Sequence, residues 1–202
     1  RPDIAISLAP LIIANSDVKL ISFKDCHVES GISQIAKAIE KNPDNNIVYW
    51  DVSDNKMRDT AAFCAALGRT NADVFFLDLS NTNMNSETTN ILFKAIAANR
   101  HLWNIKYLHL NNCEFNQADI ELFCKHLNRL SVASKSVLRS LKLSGIGQQT
   151  NDILHYLVKF PQPIENLDIS HNPMKTKTYN ELLKFLKSTK TLKQLNLGYT
   201  AI

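Results

Sequence analysis

The stretch VFFLDLSNTNM, from Val74 to Met84, is apolar at its first, fourth, sixth and eleventh places and carries a short polar residue, Thr82, at its ninth. Alternation around Leu77 and Leu79 is the signature of a half-buried strand. One such stretch would fit any amphipathic strand. Working outward, six more stretches stack on it: VKLISFKDCHV from Val18, IVYWDVSDNKM from Ile47, IKYLHLNNCEF from Ile105, LRSLKLSGIGQ from Leu138, IENLDISHNPM from Ile164 and LKQLNLGYTAI from Leu192. All seven keep apolar residues at places one, four and six. Place nine reads Cys26, Asn55, Thr82, Cys113, Ile146, Asn172 and Thr200, and place eleven Val28, Met57, Met84, Phe115, Gln148, Met174 and Ile202.

The first places lie at 18, 47, 74, 105, 138, 164 and 192, so the spacings are 29, 27, 31, 33, 26 and 28, with a mean of (192 − 18)/6 = 29. A period of that length leaves room for a full helix between strands. Helical spacing is indeed kept by Ile32, Ile35, Ala36 and Ile39, by Ile91, Leu92, Ala95 and Ile96, by Ile120, Phe123, Cys124 and Leu127, and by Tyr179, Leu182, Leu183 and Leu186. Ser30, Ser86 and Thr176 are the expected N-caps, since their oxygens can accept from first-turn amides. A single strand-helix unit cannot bury both its apolar faces, whereas stacked neighbours can. The ninth-place polar group is expected to turn inward and bond backbone that the bend leaves unpaired. Ile146 cannot do this and Gln148 breaks the apolar column, so the fifth unit is the irregular one, preceded by an expected loop from Leu130 to Ser136.

The pattern L-x-x-L-x-L-x-x-N/C-x-L, met seven times, identifies leucine-rich repeats. The expectation is an α/β leucine-rich-repeat solenoid, a horseshoe with parallel strands on the concave face and helices on the convex face. It is read as one domain over residues 1–202, of about seven repeats. Residues 1–14 look like the helix of a preceding unit and Ile202 is the eleventh place of the seventh, which suggests a fragment of a longer array with open ends able to self-associate. FLDLSNTNM and NLDISHNPM, each followed by a helix, resemble the ribonuclease-inhibitor-type repeats of intracellular proteins. The irregular repeat lengths are similar to the CARMIL family of actin-capping regulators. That family's capping-protein-binding segment lies outside its repeats, and nothing like it is present here. The same repeats occur in Ran GTPase activators, which would imply a catalytic arginine, but Arg58, Arg69 and Arg100 match no motif of theirs.

Among 202 residues, 45% are hydrophobic and 21% charged, with a formal net charge of +4. Lysines such as Lys37, Lys41, Lys94, Lys125, Lys184, Lys187 and Lys190 are scattered rather than striped, which argues against a nucleic-acid partner. No apolar run approaches the roughly 20 residues of a membrane-spanning helix. Ile4 to Ala14 is broken by Ser7 and Pro10. The four cysteines (Cys26, Cys64, Cys113, Cys124) are widely spaced and no Asn-x-Ser/Thr acceptor occurs, so a reducing, cytoplasmic setting is expected.

Residues between the inward positions point out from the strands. Place three reads Leu20, Tyr49, Phe76, Tyr107, Ser140, Asn166 and Gln194. With neighbouring strands about 4.8 Å apart, Tyr49, Phe76 and Tyr107 should form an aromatic ridge, thickened by Val48 and Phe75. Aromatics bury much area for little rotamer entropy, and so concentrate at binding hot spots. Place five reads Ser22, Asp51, Asp78, His109, Lys142, Asp168 and Asn196. Asp51 and Asp78, with Asp54 nearby, make an acidic strip that could steer a basic partner segment, or could instead cap adjacent strands. The candidate partner-binding residues are therefore Leu20, Tyr49, Asp51, Phe76, Asp78, Tyr107, His109, Lys142 and Asp168, and the expected partner is another protein on the concave face.

Asp51, Asp78 and His109 on consecutive strands invite a catalytic reading, but hydrolysis needs a nucleophile, an oxyanion hole and a pocket. Ser53, Ser80 and Asn111 beside them belong to open sheet, and the five glycines form no loop that could cradle an oxyanion. Cys64 and Cys124 fall on apolar helix stripes, and Cys124-Lys125-His126 is too tight for a zinc site. The expectation is a non-catalytic interaction module without cofactor or metal, with GTPase regulation or a structural spacer as the alternatives.

Overall fold

In the computed structural model, residues 2–132 and 137–200 are described. Seven helices alternate with seven strands: α1 Pro2–Ala14, β1 Leu20–Ser22, α2 Ile32–Lys41, β2 Tyr49–Asp51, α3 Thr60–Leu67, β3 Phe76–Asp78, α4 Ser86–Ala98, β4 Tyr107–His109, α5 Gln117–Val132, β5 Ser140–Lys142, α6 Thr150–Lys159, β6 Asn166–Asp168, α7 Thr176–Ser188 and β7 Gln194–Asn196. The strands form a single parallel sheet in chain order. Register is uniform: Leu20, Tyr49, Phe76, Tyr107, Ser140, Asn166 and Gln194 stand in one row across the sheet, and Ser22, Asp51, Asp78, His109, Lys142, Asp168 and Asn196 in another. These are the third and fifth places of the repeat. Each helix packs beside the next behind the sheet, and one continuous core runs through the stack from Ala5 to Phe185. Trp50, Leu77, Leu108, Leu141 and Leu167 of the fourth place are buried, as are Phe23, Val52, Leu79, Leu110, Leu143 and Ile169 of the sixth.

The ninth place behaves as its chemistry requires. Asn55 Nδ2 donates to the carbonyls of Phe23, Val52 and Ser53, while its Oδ1 accepts from the Val28 amide. Asn172 repeats this with Leu143, Ile169, Ser170 and the Gly147 amide. Thr82 and Thr200 donate to the carbonyls three residues back. Ile146 is buried without such bonds, and the chain after it winds into a 3₁₀ turn, Gly147–Gln149. The eighth place takes positive φ in every unit: Asp25, Asp54, Asn81, Asn112, Gly145, His171 and Tyr199. Short polar residues and glycine tolerate that region best. At Gly145 a Cβ would also meet Asn112 Oδ1 at 2.1 Å.

Several local expectations need correction. The N-cap positions are Gly31, Asn85 and Lys175, one residue from Ser30 at the start of α2's approach, and directly before Ser86 and Thr176, which are the first helical residues. Asn85 takes the role because its amide oxygen reaches the Thr88 N–H at 2.9 Å. Helix α5 continues to Val132, so the stretch expected as a loop from Leu130 begins as helix, and residues 133–136 lie outside the described residues. In α7 the buried stripe is Thr178, Glu181, Leu182 and Phe185, with Tyr179 and Leu186 exposed. That stripe keeps the same i, i+3, i+4, i+7 period but starts one residue earlier, because it is the contact with α6 that selects the buried side. Ile202 also lies outside the described residues.

Candidate functional site

The outer face of the sheet begins with three strands whose sequences place aromatic rings at the same height. Tyr49 stacks on Phe76 with ring centroids 4.0 Å apart and planes 8° apart. Phe76 meets Tyr107 at 6.0 Å, and Phe75 meets Tyr49 at 6.3 Å and Tyr107 edge-on at 6.1 Å. All four rings are half-buried, and Leu20 beside them is 58% exposed. The expected ridge is therefore a packed aromatic platform with open upper faces. The Asp51 and Asp78 carboxylates, acting with burial, push the Tyr49 hydroxyl above its ordinary range, burial contributing most.

The fifth-place row is bonded more tightly than a free acidic strip would be. Asp51 Oδ1 accepts from the Ser53 amide at 3.1 Å and its hydroxyl at 2.7 Å. Asp78 Oδ1 accepts from the Ser80 amide, Asp168 Oδ1 from the Ser170 amide, and Asn196 Oδ1 from the Gly198 amide. The fifth-place side chain thus closes a turn two residues on and steers the chain off the sheet. That is the strand-capping role.

His109 joins three strands. Its Nδ1 lies 3.0 Å from Asp78 Oδ2 and its Nε2 3.1 Å from Ser140 Oγ. Burial pushes the Asp78 carboxyl up, but hydrogen bonds from His109 and Ser80 outweigh it and hold the group below its ordinary value. Ser140 was not singled out from the sequence as His109's partner; its place in the third row of β5 was the available signal. The Asp-His-Ser line has the order of a hydrolytic triad. However, Ser140 is only 3% exposed and His109 6%, so the hydroxyl lies beneath the surface where no substrate carbonyl can reach it. The line works as a brace between β3, β4 and β5. Lys142 and Asp168 continue the row, half-buried, and Asn196 Nδ2 donates to Asp168 Oδ2 at 3.2 Å.

Cys64, Cys113 and Cys124 are buried, and burial pushes each thiol up, Cys113 to about 12. Among the described residues no cluster of His, Cys, Asp or Glu could hold a metal ion. Among them, too, no helix is long and apolar enough to cross a membrane. Arg69 is paired with Glu40, and Arg58 with Glu29 at 3.7 Å.

No family model matches the sequence, and no curated protein matches it. Among solved structures, the chain is similar to the tropomodulin C-terminal domain of Caenorhabditis elegans, with a TM-score of 0.50 at 12% identity over 92% of this chain and 91% of that one. It is likewise similar to leiomodin-1 actin-binding site 2, with a TM-score of 0.50 at 10% identity over 92% of this chain and 87% of that one. At such identities the likeness is one of fold, a leucine-rich-repeat solenoid of parallel strands and outer helices.

Proposed function

We propose that this chain is a non-catalytic, cytoplasmic interaction module that holds another protein on the concave face of its sheet. The observation that carries the reading is the stacked platform of Tyr49, Phe76 and Tyr107, flanked by exposed Leu20, on a face that the helices leave open. Rigid aromatic rings with free upper faces are what a hot spot requires. Asp51, Asp78, His109, Lys142 and Asp168 would border it, as a polar margin whose geometry is already set by the strand turns. One similar solved structure is an actin-binding site of leiomodin-1, and the repeats also resemble the ribonuclease-inhibitor type and, in their irregular lengths, the CARMIL regulators. Actin is therefore the first partner to test.

The experiment is co-sedimentation with filaments and titration of actin monomers, using the wild type and the triple change Tyr49→Ala, Phe76→Ala, Tyr107→Ala. Each hot-spot ring is expected to contribute about 2 kcal/mol, so capture should disappear while the fold persists. Undiminished capture by the triple variant sinks the concave-face reading. The exposed Ile4, Leu11 and Ile13 of α1 would support self-association at that end; concentration-independent light scattering at the monomer mass would remove that idea.

A further inference from the structure

The concave face changes character between β4 and β5. Backbone bonds tie the second places of the repeat into a row across the sheet. The Phe75 amide donates to the Val48 carbonyl at 2.9 Å, the Lys106 amide to the Phe75 carbonyl at 2.8 Å, and the Arg139 amide to the Lys106 carbonyl at 2.8 Å. Two half-buried apolar residues are thus followed directly by two cations. The fifth row turns at the same point: after Asp51, Asp78 and His109 comes Lys142, in register with His109. Between these rows, the third drops from the rings of Tyr49, Phe76 and Tyr107 to Ser140, a small side chain buried against His109. Lys106, Arg139 and Lys142 therefore surround a low polar floor immediately beyond the last ring.

These cations are poorly answered within the chain. Lys106 is exposed and Lys142 half-buried, and neither has an ion-pair partner among the described residues. Arg139 donates to the Pro163 carbonyl at 3.3 Å and reaches Glu165 only at 3.8 Å, while Lys193 holds Glu165 at 2.6 Å. The wider charge distribution has the same sense. Residues 1–100 carry 10 basic and 12 acidic side chains, 10 − 12 = −2, whereas residues 101–202 carry 13 and 7, 13 − 7 = +6. Such a gradient orients a charged partner as it approaches.

The rings add a second constraint. Tyr49 and Phe76 lie parallel within 8° at 4.0 Å along the row, so both planes stand upright on the sheet and their rims point outward. Aromatic rims are weakly positive. They wedge apolar side chains and tolerate nearby carboxylates, but give a nucleobase no plane above the sheet to stack on. We infer that the occupant of this face is a segment of a partner protein that is apolar over β2 to β4 and carries carboxylates over β5. The rings seat its apolar side chains, and Lys106, Arg139 and Lys142 take its carboxylates. Phe76 and Ser140 are two strand spacings apart, about 10 Å, which an extended chain covers in about three residues. Its direction is fixed, because carboxylates at the other end would meet Asp51 and Asp78. This rests on the concave-face reading and names the chemistry that the face selects.

The test is fluorescence anisotropy with the whole chain and three labelled peptides: three leucines followed by three glutamates, three leucines followed by three lysines, and three serines followed by three glutamates. The leucine–glutamate peptide should bind tightest and the other two at least about tenfold more weakly. Added salt should narrow the gap between the glutamate and lysine forms. Lys106→Glu with Lys142→Glu should reverse the order of the two leucine peptides, an outcome that misfolding cannot produce. Lys94→Glu with Lys125→Glu, the same change in charge on the exposed sides of α4 and α5, should leave that order as it is. Equal effects of the two double variants overturn the inference, since the whole molecule's field would then be responsible. Equal binding of both leucine peptides, lost in the Tyr49→Ala, Phe76→Ala, Tyr107→Ala variant, overturns it while upholding the concave face. No binding of the leucine–glutamate peptide also overturns it, and ring-dependent capture of actin would then still uphold the face. Ring-dependent capture of a single-stranded thymidine dodecamer in preference to the peptides would assign the face to nucleic acid instead.

Discussion

Asn172 and Asn55 each satisfy three carbonyls and one amide that the strand exit would otherwise strand inside the stack. Removing such a side chain leaves several buried backbone groups unpaired, so Asn172→Ala should cost about 3 kcal/mol or more, read from the urea midpoint. Thr82→Val removes one donor and should cost about 1 kcal/mol. His126 makes a separate case. It is buried near Trp103 with Nδ1 unpaired, and burial, followed by the Arg129 charge, pushes its pKa down to about 4. The unfolded chain takes up that proton near pH 6.5, whereas the folded chain resists it until near 4. Stability is therefore complete above about 6.5 and declines as pH falls, by about 2 kcal/mol at pH 5. Urea unfolding at the two pH values checks this, and His126→Phe should flatten the difference. The ninth-place bonds were legible in the sequence because their column is visibly Asn, Cys or Thr. The eighth-place column, Asp, Asn or Gly in five of its seven units, was equally visible, and its left-handed backbone went unread because the repeat pattern leaves that place blank.

Helices α4 and α5 begin at asparagine caps; α6 and α7 do not. Asn116→Ala should therefore cost about 1–2 kcal/mol, and more than Gln149→Ala, which removes no cap. Thermal unfolding of the two variants makes the comparison, and equal losses would contradict this account of the caps. Periodicity located these helices but not their first residues, because serine and threonine are good caps and good first-turn residues alike. The choice between them depends on where the preceding strand releases the chain. The displaced stripe of α7 has a similar origin. Tyr179 and Leu186 satisfy helical spacing as well as Thr178 and Phe185 do, and only the neighbour α6 distinguishes the two sets.

A solenoid stacks units that contact only their neighbours, so damage at one layer weakens the two interfaces beside it. Leu77, wholly buried on β3, lies in the middle of the stack. Leu77→Ala should cost about 3 kcal/mol by the cavity it leaves. Tyr49→Ala, on the opposite face of the sheet, removes a stack on Phe76 and should cost about 1 kcal/mol or less. Circular dichroism melts of the two variants would show whether the platform can be stripped without harming the core, the condition on which the binding test rests. The seven repeat units, their parallel arrangement and the rows at places three and five were all readable from residue order. Stacking identical units forces identical register, so a column in the alignment becomes a row in the sheet. What residue order left open was how each row is bonded. Whether Asp78 faces a partner or holds His109 depends on side chains about 30 residues apart along the chain, which meet only when neighbouring units stack.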